Sequence, residues 1–169
     1  MAETFKKYNI VSPSHLRIKG LEPQDVRSVH DILQAEGCPK GENCFAAGEM
    51  GICLDDIQTR NARRNHTDKR ASADMLVLDS QNRVILTDLK YRCRNIRNLS
   101  VQEIKYKSQE SKALLQEHTN FDFNFYLLFS SQVLTQSKLS VIRRKFDNHL
   151  QVQPLTTEDF YHLFAHDIK

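Results

Sequence analysis

Short runs of largely branched apolar residues, bounded by polar ones, mark two neighbouring stretches, "ADMLVLD" from Ala73 and "RVILTDLKYRC" from Arg83, and "DSQN" between them has the composition of a turn. Alternate residues of a strand share a face, and the pattern predicts a β-hairpin that enters a core. A third run, "FNFYLLFS" from Phe123 to Ser130, is apolar almost throughout, as expected of a strand covered on both faces. Elsewhere the apolar spacing lengthens to that of a helix. Val26, Val29, Ile32 and Leu33 predict a helix over Gln24 to Glu36, stopped by Gly37. Phe45, Met50, Cys53, Leu54 and Ile57 predict a second over Cys44 to Asn65, with Gly48 and Gly51 either weakening it or letting it approach a sheet closely.

Ser100 followed by Glu103 has the form of a capping box, and the stripe Val101, Ile104, Ser108, Leu115 carries a third helix from there to His118. "TQSKLSVIRRKFDNH" predicts a fourth helix, and "TTEDFYHLFAHDI" a last one capped by Thr156 or Thr157. Helix, strand, strand, helix, strand, helix is the order of an α/β or α+β fold with a mixed central sheet flanked by helices. No repeat, low-complexity tract or Gly/Ser linker divides the 169 residues, so one domain is expected, with roughly 70% of the unfolded chain's surface buried.

Composition adds little until charge is mapped. A net charge of +3 conceals a basic third: residues 60 to 112 carry thirteen Lys/Arg against six Asp/Glu, or +7, which leaves eleven against fifteen, or −4, elsewhere. That segregation suits a polyanionic partner, because neutralising phosphates releases counterions, although solvated faces are often basic for no such reason. The longest apolar run is too short to cross a bilayer, and "MAETFKKYNIVSPSH" lacks the pattern of a secretory leader. The expectation is a chain outside the membrane, in a reducing cytoplasmic setting.

The hairpin carries the candidate chemistry. Asp88 and Lys90, two apart near the end of the second strand, point to one face, and antiparallel pairing brings Asp74, at the head of the first strand, beside Asp88. Two carboxylates forced together repel unless a divalent cation lies between them, and hard oxygen donors suit Mg²⁺ or Mn²⁺. Lys90 could then orient a water or stabilise charge on a phosphate. The bland alternative is that these are solvated charges at strand ends; jointly the three favour ligands.

"SADMLVLDSQNRVILTDLKYR" resembles the core of the PD-(D/E)xK nucleases, and Gln102 and Tyr106 on the following helix resemble the Q-x-x-x-Y motif of the RecB-like branch. Ala73 stands where that pattern often has Pro, and Asp rather than Glu begins the triplet. The resemblance covers about residues 45–130 and implies a restriction-endonuclease-like core with an N-terminal helical extension and C-terminal helices packed on it. It further implies a metal held by Asp74, Asp88 and the carbonyl of Leu89, with Glu49 contributed from the preceding helix, Lys90 as catalytic cation, and Gln102 and Tyr106 positioning substrate or water. Arg60, Arg63, Arg64, Lys69, Arg70 and Arg92 would hold the phosphate backbone.

The expected activity is therefore metal-dependent phosphodiester hydrolysis, endo- or exonucleolytic, with DNA ahead of RNA because that is the superfamily's commonest substrate. A homodimer or a larger nuclease complex would let one site per chain cut both strands. One alternative is an inactive nucleic-acid-binding or assembly subunit on the same fold. Another is an RNA endonuclease of cap-snatching type, since those relatives use a His from an early helix, where this chain has His30. As isolated residues, His30 and His66 read as ordinary histidines. Cys38, Cys44 and Cys53 are spaced C-x5-C-x8-C, with Cys93 following the hairpin. That order matches neither the one-early, three-late grouping of iron-sulfur members of the branch nor the paired C-x2-C of structural zinc, so the four read as thiols before they read as a second metal site.

Overall fold

The structure is a computed structural model that describes residues 10–13, 16–46 and 48–164. Most of the segment examined for a leader, and the tail of the last predicted helix, lie outside them. Seven strands form one mixed sheet: β1 (Ile10–Val11), β2 (Val26–Ser28), β3 (Met50–Cys53), β4 (Met75–Asp79), β5 (Val84–Leu89), β6 (Phe125–Phe129) and β7 (Val152–Thr156). Strands β2 to β7 follow one another across it in sequence order. From β2 to β5 neighbours are antiparallel, and β5, β6 and β7 are parallel to one another. β1 pairs Leu78 and Asp79 of β4, beyond the Met75 and Leu76 that β3 covers.

The predicted hairpin is β4–β5, with Met75 opposite Thr87 and Leu78 opposite Val84. Its turn is held by Asp79, whose buried carboxylate accepts from the backbone N–H groups of Gln81 and Arg83 at 2.9 Å and from Arg83 Nε at 2.8 Å, while Asn82 takes the left-handed conformation at φ 61°. Strand periodicity divides the core in two. Leu76, Leu78, Val84, Leu86, Leu127 and Phe129 face α2 (Leu54–Asn65), α3 (Val101–Leu114) and α4 (Gln136–Phe146). Met75, Val77, Ile85, Leu89, Tyr126 and Leu128 face α1 (Val29–Ala35) and α5 (Thr157–Phe164). Each large side chain taken wholly out of water here contributes about 2 kcal/mol before the entropy of ordering it is counted. The result is an α/β fold with helices on both faces of a mixed sheet.

Three expectations need correction. The helix predicted over Gln24 to Glu36 is a 3₁₀ turn (Pro23–Asp25), strand β2 and then the short α1, whose N-cap Ser28 accepts from Asp31 N at 3.1 Å. The helix predicted over Cys44 to Asn65 begins only at Leu54, because Met50–Cys53 is strand β3. Gly51 explains why: a Cβ there would sit 3.1 Å from the carbonyl oxygen of Leu76 and 3.3 Å from Val77 Cγ1, so the close approach is to the neighbouring strand, not of a helix to the sheet. Strand β7, absent from the pattern reading, contains Pro154 and among the described residues pairs with β6 alone, the sheet-edge position that a proline tolerates.

Candidate functional site

Asp74, Asp88 and Lys90 lie on the α2–α3 face, because each falls on the same strand parity as Leu76 or Leu86. Asp88 is fully buried near the end of β5. Asp74 immediately precedes β4; its Oδ2 accepts from Leu89 N at 2.7 Å, and its carboxyl feels that of Asp88 on the neighbouring strand. Its backbone carbonyl accepts from Leu54 N at 3.3 Å, which fixes the start of α2 against the same strand end. Lys90 Nζ lies 2.8 Å from Asp88 Oδ2. The pairing inferred from strand register thus brings both carboxylates and the Lys90 ammonium together.

A second ammonium joins them. Lys107 Nζ is 2.9 Å and 3.2 Å from the two oxygens of Asp88 and 3.6 Å from Glu103 Oε1, one turn earlier on α3. Ser111 fixes its place: the hydroxyl donates to Lys107 O at 2.6 Å and accepts from Ala73 N at 2.7 Å, tying α3 to the residue before Asp74. The signal for Lys107 was present in the sequence, since it sits three residues after the buried Ile104 and four before the buried Ser111. A lysine on the inward stripe of a helix needs a buried partner.

These contacts set the protonation of the pair. Burial, and then the charge and hydrogen bond of Asp88, push the Asp74 carboxyl up to about 8. Burial would also raise Asp88, but Lys90 and Lys107 reverse it and hold that carboxyl below the usual carboxylate range. Burial opposes the charge on Lys107 and is outweighed by Asp88 and Asp74, so its pKa is raised. The cluster at neutral pH is one carboxylate, one carboxylic acid and two ammoniums.

Glu49 does not join it. The residue precedes β3 instead of lying on a helix, and β3 runs away from Asp74: Cys53 is paired with Met75, and Glu49 is four residues further, about 13 Å along a strand rising ~3.3 Å per residue. Its Oε2 is buried without a hydrogen-bond partner. Glu36, at the C-cap of α1, is the glutamate that senses the site. Burial, then the charges of Asp55 and Asp88, raise its carboxyl, against Arg92 and Lys107. Asp55, in the first turn of α2, meets Lys69 at 2.7 Å. Gln102 and Tyr106 sit on the outer side of α3, Tyr106 being 51% exposed.

The basic residues divide by what they touch. Arg60 pairs with Asp25, which is 1% exposed, and donates to Gly20 O at 2.7 Å, so it clamps α2 to the turn before β2. Arg64 pairs with Glu22, Lys69 with Asp55 and Arg70 with Glu110 at 3.1 Å. Arg63 is exposed, and Arg92 is exposed with its Nε lying 3.2 Å from where a Gly37 Cβ would be. His30, on α1, faces only its neighbour Asp31 at 3.4 Å, and His66 is the left-handed C-cap of α2 at φ 51°.

The cysteines do not converge. Cys38 belongs to the α1–α5 core, where its Sγ is 3.7 Å from Thr157 Oγ1, whereas Cys93 packs against the opposite one. Cys44 is exposed, and Cys53 is the buried N-cap of α2, its thiol pushed up to about 11 by burial. Among the described residues no three His, Cys, Asp or Glu side chains come together as metal ligands, and no helix is long and apolar enough to cross a membrane. Comparison of the chain with protein-family models, with curated proteins and with solved structures finds no match.

Proposed function

We propose that this chain is a metal-dependent nuclease of PD-(D/E)xK type that hydrolyses phosphodiester bonds at the end of β5. One observation carries the reading: Asp74, braced on Leu89 N, and the buried Asp88 act on each other's charge at one strand end, where Lys90 and Lys107 also converge. Their chemistry fits a hard divalent cation. A proton held to about pH 8 between two carboxylates marks a place where positive charge is wanted, and Mg²⁺ or Mn²⁺ would replace it. Asp74, Asp88 and the Leu89 carbonyl would hold the ion, which when bound supplies charge for the phosphate and lowers the pKa of a coordinated water.

The chain's own groups would do the rest. Asp74, fixed by the Leu89 N–H, would hold the metal in its deprotonated form together with Asp88. Lys90, beside Asp88, would stabilise charge developing on the phosphate. Lys107 keeps Asp88 oriented from α3 and acts as a positioning residue. Glu36, which feels the charge of Asp88, would add negative potential near the site. A DNA substrate is carried over from the resemblance alone.

A second reading is favoured by the absence of a third converging ligand among the described residues and by two ammoniums already on one carboxylate: a nucleic-acid-binding subunit without turnover. Incubation of linear and circular duplex DNA, single-stranded DNA and single-stranded RNA with Mn²⁺, Mg²⁺ or EDTA separates the two. The nuclease reading expects metal-dependent cleavage by the wild type and loss of about 10³-fold or more in Asp88→Asn and Lys90→Ala. Binding without cleavage under every metal condition replaces it with the second reading.

A further inference from the structure

The loop that leaves β5 forms a cleft of about 500 Å³ against the start of α3, floored by Leu89 and Lys90 and walled by Arg92, Arg94, Asn95, Asn98 and Ser100. Its size is that of a small-ligand site, roughly 300–1,000 Å³, the scale on which a nucleotide or two of a single strand would fit. The cleft opens beside the cluster, because Lys90 belongs to both. Three cations line it against one carboxylate, Glu103, which already leans on Lys107 at 3.6 Å.

The cations here differ in availability from those on α2. Arg60, Arg64, Lys69 and Arg70 are engaged with Asp25, Glu22, Asp55 and Glu110. Among the described residues, Arg92 and Arg94 close no such pair; Arg92 only senses the more distant Glu36. Asn95 spends its side-chain oxygen on Arg97 N at 3.0 Å and keeps its amide N–H₂ for a ligand, and Asn98 retains both side-chain groups. Guanidiniums bind phosphate oxygens in pairs, and amides read ribose or base edges.

We propose that this cleft holds the single nucleic-acid strand beside the cluster, with Arg92 and Arg94 on backbone phosphates next to the one over Lys90 and Asn98 on the adjoining nucleoside. The substrate strand would therefore enter unpaired, or with its partner strand lifted away. The inference rests on the proposed function for its direction, but its test is binding without metal, which stands apart from cleavage.

The full chain in EDTA would be titrated with fluorescein-labelled twelve-nucleotide single strands, DNA and RNA of one sequence, and with a twelve-base-pair duplex, across a range of salt. Arg92→Ala/Arg94→Ala would be compared with the charge-matched Arg143→Ala/Arg144→Ala on the exposed side of α4. Expected is a loss of roughly tenfold in single-strand affinity for the first variant only, with the slope of log K against log salt reduced by about 1.4, or ~0.7 for each of two phosphates. The tighter of the DNA and RNA arms names the substrate class. Equal loss in both double variants means diffuse attraction and overturns the assignment, as does a duplex that binds as tightly as the single strand. If Arg92→Ala/Arg94→Ala lowers the melting temperature, Arg94→Glu repeats the test at an exposed position; unchanged binding there also overturns it. Intact, cleft-dependent binding with no cleavage in Mn²⁺ would sink the nuclease reading and leave this one standing.

Discussion

Replacing Asp74 with Asn tests the shared proton directly. Asn is the neutral shape-match of the acid form: its oxygen can accept from Leu89 N and its amide can donate to Asp88. In the unfolded chain an aspartate titrates near 3.8; in the fold Asp74 titrates near 8. Between those values the folded state holds a proton that the unfolded state lacks, so stability is present at low pH and declines as pH rises towards 8. The slope is about 1.4 kcal/mol per pH unit, or about 2–3 kcal/mol from pH 5.5 to 7.5. Asp88, whose pKa is lowered, changes below this window, and Lys107, whose pKa is raised, above it. Urea or thermal unfolding in EDTA at several pH values should show the wild type losing this amount relative to Asp74→Asn, or about 5–10 °C in melting temperature for a chain of this length. A gap between the two proteins that is the same at pH 5.5 and 7.5 would refute the assignment of the proton to Asp74.

Lys107→Met removes one of two cations on a fully buried carboxylate, so a loss of about 2 kcal/mol is expected in denaturant unfolding, together with a rise in the pH below which the fold melts. Ser111→Ala strands the N–H of Ala73 and should cost about 1–3 kcal/mol; a loss under 0.5 kcal/mol would mean that the hydroxyl does not brace the strand. Arg60→Met leaves buried Asp25 without its cation and should destabilise by about 3 kcal/mol while leaving the salt dependence of nucleic-acid binding unchanged; a shallower salt slope would return Arg60 to the phosphate-binding set. Iodoacetamide mass mapping of the native protein should label exposed Cys44 well before Cys53, whose thiol is shifted up to about 11 by burial.

The hairpin and the meeting of Asp74, Asp88 and Lys90 were legible because the three share strand parity and register does the rest. The capping box was partly legible, as Ser100 Oγ does accept from Glu103 N at 3.2 Å. What failed was local pattern overruled by pairing. Met50–Cys53 sits on a helix-like stripe but is short, holds Gly51 and finds strands on both sides, Val26–Ser28 and Met75–Leu76. Moving that boundary removed Glu49 from the cluster. Glu36 stood at the predicted end of α1, where a charged residue reads as an ordinary helix terminus, and only the tertiary fold brings it within electrostatic reach of Asp88. The ion pairs of the basic third were not legible either: four of its cations meet Asp25, Glu22, Asp55 and Glu110, partners scattered from residue 22 to residue 110.

The parallel half of the sheet has an evolutionary consequence. β5, β6 and β7 run in one direction, so Leu89, Phe129 and Thr156 arrive at the same margin, and the segments 90–100 and 130–135 leave from it. That margin is pinned from behind, where Tyr91 Oη meets Thr157 Oγ1 at 2.6 Å across the end of β6. Beyond the pinned margin the exposed positions, Arg92, Arg94 and Asn95 among them, can change at little cost to the core, whereas Tyr91, Ile96 and Leu99 are buried in it. A lineage built on this scaffold can therefore alter the charge and shape of that margin at its exposed positions, while Lys90 and the acid pair behind it stay untouched.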